Sequence, residues 1–319
     1  MNWIETLAVV PSSHIATENE ALQDLPLFAA LGEKVEYLQL TGPEATKFLQ
    51  GQVTCDLREI MDGHLRLGAH CNAKGRAQAT FLAYQDAAPS PDAPSETITL
   101  LLPTGMAEPT RQQLQKFAVF SKVTLTSPVN PPAAFIVGGE DAARWCETQG
   151  LPTTPQPWKL QETPTGDKIC ALDAALRFWL VLTAPDRAQS LLANLPHCAP
   201  MAGINGWWQC FNALGQAHVH PSTQEVFIPQ ELNYDLIEGI NFKKGCYKGQ
   251  EIIARLHFKG TPKFRCGRFE WHSTNAPVIG DDLRNSGGQS VGQIAQTAQT
   301  GENRHEILLV AKLDSDAIQ

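Results

Sequence analysis

"SPVNPPAA", residues 127–134, is the stretch that most limits how this chain can fold. Its three prolines fix φ and remove backbone donors, so neither a helix interior nor a central strand can run through it. It reads as a linker, and the pattern differs on its two sides. Before it, "VEYLQL" (35–40) alternates as a strand. "TGPEATKFLQ" follows, with Thr41 and Glu44 at capping-box spacing and Pro43 suited to a first turn. Strand-like runs cover 65–84 and 97–102, joined by "DAAPSPDAPSE", a Pro/Ala/Ser tract that reads as a loose hairpin tip. "MAEPTRQQLQKFAVF" predicts a helix entered near Pro109. After the linker come a strand ("AFIVGG"), a helix ("DAARWCETQG"), strands near 168–173 and 177–183, and a helix over Pro185–Leu195. That β-α-β-β-α order fits a split β-α-β unit. Residues 263–319 are strand-rich, with turns at "NSGG" and "TGEN", and predict a small all-β domain.

The chain has 319 residues, room for two or three domains, and at 43% hydrophobic and 18% charged it can bury their cores. Residues 1–20 lack a basic start and a long apolar run, and no stretch reaches a membrane span, so a soluble cytoplasmic protein with no membrane partner is expected. A monomer is the expected state. No two of the eight cysteines lie closer than 12 residues, and there is no C-x-x-C. Free thiols and no metal site are therefore expected. Phosphate-loop, dinucleotide and H-E-x-x-H signatures are all missing.

Charge is unevenly spread. Residues 243–268 hold eight Lys/Arg and one acid, net +7, inside a chain of net −8. This concentration surrounds "NFKKGCYKGQEIIARLHFKG" (241–260). There Cys246 stands between Lys244 and Lys248, with Tyr247, Glu251 and Arg255 at four-residue spacing. A thiol in the first turn of a helix beside lysines should ionise readily, and Gly249 allows another backbone or a ligand to approach. "HCNAKGRAQATF" (70–81) is a second cluster, a hairpin carrying Cys71, Lys74 and Arg76. "GWWQCF" is a third, where adjacent Trp207 and Trp208 must point in different directions: both can pack in the core, or one can line a pocket, where a Trp face can stack on a heteroaromatic ring.

"FKKGCYKGQE" (242–251) resembles the K-G-C-[FY]-x-G-Q-E signature of the YgfZ branch of the YgfZ/GcvT family. "FLQGQVTCD" (48–56), "HCNAKGR" (70–76), "FAVFSKV" (117–123) and "VFIPQELN" leading to "GINFKKGCY" (226–247) resemble further blocks of that family, in the right order across most of the chain. The resemblance implies an α+β fold: a three-domain ring like the glycine-cleavage T-protein. Its parts would be two ferredoxin-like α+β domains (27–128 plus 205–258, and 132–196) and a C-terminal β-barrel (263–319).

It further implies a central hole for tetrahydrofolate or another reduced folate. The implied function is support of iron–sulfur client enzymes or assembly proteins, with tRNA affected indirectly. Cys246 and Lys244 are the expected catalytic pair. Trp207, Cys71, Lys74, Arg76, Tyr247, Gln250, Glu251 and Arg255 are the expected ligand contacts. Trp207 matches a family tryptophan that contacts folate, whereas the matching N-terminal stretch reads Val35-Glu36-Tyr37 and carries no second one. The hairpin reads "CNAKGR" where aminomethyltransferases place an aspartate. Two alternatives stand beside this reading: a tetrahydrofolate-dependent one-carbon transferase, and a tRNA-binding module using the basic segment 243–268.

Overall fold

The computed structural model describes residues 21–313 apart from 23, 87–95 and 286. Most of the "DAAPSPDAPSE" tract lies outside the described residues. Three sheets organise the chain. The first contains β2 (Glu36–Gly42), β3 (Arg66–Cys71), β4 (Ala77–Asp86), β5 (Glu96–Leu102) and β6 (Thr124–Thr126), in the order β3-β4-β5-β2-β6. Eight of the ten β4 residues are buried, so both of its faces are covered. Helices α1 (Ala45–Gln50), α2 (Leu57–Met61) and α3 (Ala107–Ala118) belong with this sheet.

The second sheet runs β11-β1-β7-β10-β9-β8. It joins β1 (Phe28–Leu31), β7 (Ala133–Gly138), β8 (Gln161–Glu162), β9 (Lys168–Ala171), β10 (Phe178–Thr183) and β11 (Met201–Ala202). β7 and β10 are apolar at nearly every position and wholly buried, and α4 (Ala142–Thr148) and α5 (Pro185–Ala193) supply apolar residues to the same core. β1 pairs antiparallel with β7 and parallel with β11, so residues 28–31 add their strand to this sheet rather than to the first. The third sheet, over the region expected as a barrel, is antiparallel. It runs β12 (Phe264–His272), β15 (Arg304–Lys312), β14 (Ser290–Gly301), β13 (Asp282–Arg284).

The expected capping box at Thr41 does not form. β2 stays paired with β5 through Gly42, so Thr41 is still strand, and α1 starts after Glu44. The Glu44 carboxylate instead accepts from the Lys122 backbone N–H at 2.7 Å.

Helix α6 (Ile204–Ala213) touches the second and third sheets at once, packing on β1, β7, β14 and β15. Gly206 permits the close approach: a Cβ there would stand 2.4 Å from that of Ala202. Its amides carry the polar part of the contact. Gln209 accepts from the Leu22 N–H at 3.0 Å and donates to the Gln299 carbonyl at 2.7 Å, and the Asn212 amide accepts from Gln296 at 2.8 Å. None of the described helices is long and apolar enough to cross a membrane.

Candidate functional site

The segment after Gly239 folds back onto the start of the first unit. Asn241 donates its backbone N–H to the Thr54 carbonyl at 2.9 Å, and the Thr54 hydroxyl donates to the Gly239 carbonyl at 2.6 Å. The Asn241 side chain then accepts from the N–H groups of Lys243 and Lys244, turning the chain sharply. Lys248 donates its N–H to the Gly51 carbonyl at 3.1 Å. Cys246 lies on the loop between these anchors and is exposed.

Two expectations for this loop are corrected. α7 (Gln250–Lys259) begins four residues after the thiol, because Gly249 caps it in the left-handed region at φ 84°. Cys246 is therefore outside the helix, and Tyr247 is not on the helical face of Glu251 and Arg255. Lys244, expected beside Cys246 as its catalytic partner, is turned inward. It is 5% exposed, and its ammonium donates to the carbonyls of Gln50, Val53 and Cys55 at 2.8, 2.6 and 2.7 Å. Burial pulls its pKa down to about 8, which leaves it charged at neutral pH. All three of its protons are spent on closing the turn after α1.

Gly249 has a conformational and a steric reason to be glycine. A Cβ there would stand 2.6 Å from the Asn72 carbonyl oxygen and 3.2 Å from Gly75 Cα. The hairpin turn 72–76 thus rests directly on the signature loop, and the structure brings "HCNAKGR" and "KGCYKGQE" together. Gly249 serves this backbone contact.

Within that contact the predicted residues divide. Cys71 is fully buried, and burial raises its pKa to about 12, so it faces no solvent-borne ligand. Tyr247 is buried, 5.1 Å from the Lys244 ammonium to the ring centre, and its hydroxyl has no hydrogen-bond partner among the described residues. Gln250 accepts from the Tyr247 N–H at 3.3 Å. Arg76 binds the Val226 carbonyl and stands 3.7 Å from Glu231. Lys74, Glu251 and Arg255 are exposed. Lys248 donates to Gln78 at 3.2 Å and lies 4.8 Å over the Phe117 ring.

The tryptophan pair divides the opposite way to the expectation. Trp207 is 1% exposed, packed against Gly32 and 5.3 Å from the Phe211 ring. Trp208 is the half-buried one, with the rings of His218 and His220 at 5.9 and 5.0 Å. Gln216 Oε1 and His218 Nε2 are buried with no hydrogen-bond partner among the described residues. Sequence reading missed the two histidines. Their alternation in "AHVHPS" was visible, but nothing local ties that segment to Trp208. None of the predicted residues lines the cavity of about 480 Å3 between the first two sheets, where Asp86 and Lys168 pair at 3.4 Å.

Of the eight cysteines, Cys246 and Cys198 are the exposed ones. Burial raises the pKa values of Cys55, Cys71, Cys146, Cys170 and Cys266 to about 12, and that of Cys210 further. Limiting iodoacetamide on the native protein is therefore expected to label Cys246 and Cys198 first. Peptide mass analysis checks this, and early labelling of Cys71 or Cys55 would contradict the described packing.

No family model matches the chain. Among curated proteins it is similar to the tRNA-modifying protein YgfZ of Pectobacterium carotovorum subsp. carotovorum, 30% identical over 248 residues that span 76% of this chain and 70% of that protein. It is also similar to the tRNA-modifying protein YgfZ of Cronobacter sakazakii, 26% identical over 283 residues, 88% of this chain and 83% of that one. Among solved structures it matches the glycine cleavage system aminomethyltransferase T from Bartonella henselae with a TM-score of 0.66, over 91% of this chain and 80% of that chain. Identity there is 14%, so this likeness is one of fold.

Proposed function

The chain belongs to the family of the tRNA-modifying protein YgfZ, and from that premise we propose that it is a folate-binding accessory protein supporting iron–sulfur cluster assembly or repair and, through it, tRNA modification. The observation that carries the folate part is the surroundings of Trp208. A half-buried indole offers a face for a heteroaromatic ring. Beside it, His218 Nε2 is buried with no hydrogen-bond partner among the described residues, and His220 packs edge-on against the same ring. Those residues fit a pterin, which has one flat face to stack and polar edges to bond. Trp207, already covered by Gly32 and Phe211, supports the helix that presents Trp208.

The hairpin supplies no carboxylate of the aminomethyltransferase kind. Asn72 occupies the turn, and its Oδ1 accepts from the N–H groups of Lys74 and Arg76 at 2.9 and 3.0 Å. This favours a ligand-binding accessory role over one-carbon transfer. In that role Cys246, the exposed thiol of the signature loop, meets a client or a delivered cluster, and Lys244 holds its loop in place.

The test is titration of the full chain with tetrahydrofolate, read by tryptophan fluorescence. A saturable change is expected in the wild type. Trp208→Phe should weaken binding roughly tenfold, the scale of one lost aromatic contact of about 1.4 kcal/mol. Trp207→Phe should lower the melting temperature instead. A wild-type protein that shows no saturable response would end the folate reading.

A further inference from the structure

We propose that the outer face of α7 is a contact surface for single-stranded or looped RNA, with Phe258 as its stacking platform. This goes beyond the function proposed above, in which tRNA is affected only through client enzymes. Of the ten α7 residues, Ile253 is the single buried one, and the helix presents most of its surface outward. Phe258 is 68% exposed on that surface. It is backed by an aromatic pair: Phe242 and His257 stack at 3.6 Å with 12° between their planes, and both stand edge-on to Phe258.

The basic segment also divides in a telling way. Lys244 and Lys248 are turned to carbonyl and amide oxygens of the first unit. Arg265 pairs with Asp235 at 2.5 Å, and Arg268 pairs with Glu306. That leaves Lys243, Arg255, Lys259 and Lys263, which are exposed and have no side-chain partner among the described residues. All four are on α7 or within seven residues of its ends. In a chain of net −8, the cations of this basic segment that are left to meet an outside anion thus lie around exposed aromatic rings. Phosphates take the cations and an unstacked base takes the ring face; an acidic protein would use the first and leave Phe258 idle.

The experiment is fluorescence anisotropy of the full chain with a fluorescein-labelled transcribed tRNA, without folate, across a salt series. Four phosphate contacts predict a log–log salt slope of about −2.8, or roughly a 50-fold loss of affinity between about 50 and 200 mM salt. The double variant R255Q/K259Q should halve that slope to about −1.4. Phe258→Ala should weaken binding by roughly 5- to 150-fold with the slope unchanged. All three side chains are exposed, so melting temperatures should hold. Absence of binding at low salt, or a slope unmoved in R255Q/K259Q, overturns the proposal. So does equal competition by polyglutamate with no effect of Phe258→Ala, which would make the face a site for an acidic protein. Because folate is absent, failure here leaves the folate reading standing, and failure of the folate titration leaves this result standing.

Discussion

Lys244→Met is expected to destabilise the protein by roughly 3–5 kcal/mol, while Cys246→Ala, two residues on, changes stability by less than about 0.5 kcal/mol. The methionine keeps the aliphatic stem and removes only the ammonium. Three carbonyls, of Gln50, Val53 and Cys55, then lose their donor in a place that water reaches poorly. Leaving a buried acceptor unmade costs about 1–3 kcal/mol each, and partial relaxation keeps the sum below the full total. For a chain of this size the melting temperature should fall by roughly 10 °C. Differential scanning calorimetry of both variants measures the contrast. Complementation of a deletion strain, scored by thiolated tRNA, then separates their roles. Loss of function by Lys244→Met should track instability, whereas loss by Cys246→Ala at unchanged stability would assign the thiol a chemical part. A thermally unaffected Lys244→Met would mean that the ammonium is not where the three carbonyls meet.

Mild acid is expected to unfold the protein well before carboxylates titrate. His70, His218 and His220 are buried, and burial depresses their pKa values to about 4, 3 and 4. His70 shares its Nδ1 with the Gln52 carbonyl at 2.9 Å and feels the Lys248 charge. His218 faces Thr80 and the two rings of Trp208 and Phe211, and the proximity of His220 depresses it further. All three are neutral when folded, while the unfolded chain protonates them near pH 6.5. Above that pH they cost nothing. As pH falls below it, the unfolded state binds more protons, and stability drops by about 1.4 kcal/mol per pH unit per histidine until the folded pKa is reached. At pH 5 that is about 2 kcal/mol each, or roughly 6 in all. Asp56 acts in a different window: Arg58 holds its pKa down to about 2, so its contribution is lost only below the usual carboxylate range. Urea midpoints measured from pH 8 to pH 4 should fall from about pH 6.5 with a slope approaching three protons. Replacing His218 and His220 with glutamine should remove about two-thirds of that slope. A flat profile between pH 7 and 5 would show that these imidazoles are not buried neutral.

What could be read from the chain alone was whatever is decided locally. The apolar run of β10, the hairpin at 70–81, the helix over 142–148 and the proline linker all emerge from spacing and turn chemistry. What could not be read depends on partners far away. The start of α7 was misplaced because the periodicity of "CYKGQEIIARL" runs unbroken, and only the positive φ at Gly249, enforced by the Asn72 carbonyl, marks the boundary. Lys244 counted as free charge because its three acceptors lie 189–194 residues earlier. The strand at 28–31 and its place in the second sheet are not legible locally, because both of its partner strands come more than a hundred residues later. Adjacency of Trp207 and Trp208 showed that they diverge, but which is core follows from Gly32 and Phe211 packing on one of them.

The clasp of the 239–250 segment on the turn at 50–55 also sets an order of biogenesis. During synthesis the five strands of the first sheet leave the ribosome early, yet the ammonium that satisfies the Gln50, Val53 and Cys55 carbonyls arrives some 190 residues later. At about 5–20 residues per second, that is a wait of roughly 10–40 s with the turn open. β7, β9 and β10 are complete within that interval, so the middle of the molecule can condense first and the beginning last. An unfinished chain halted before residue 244 would therefore hold a first sheet that is made but not closed, its unmet carbonyls and strand edges open to other chains or to chaperones.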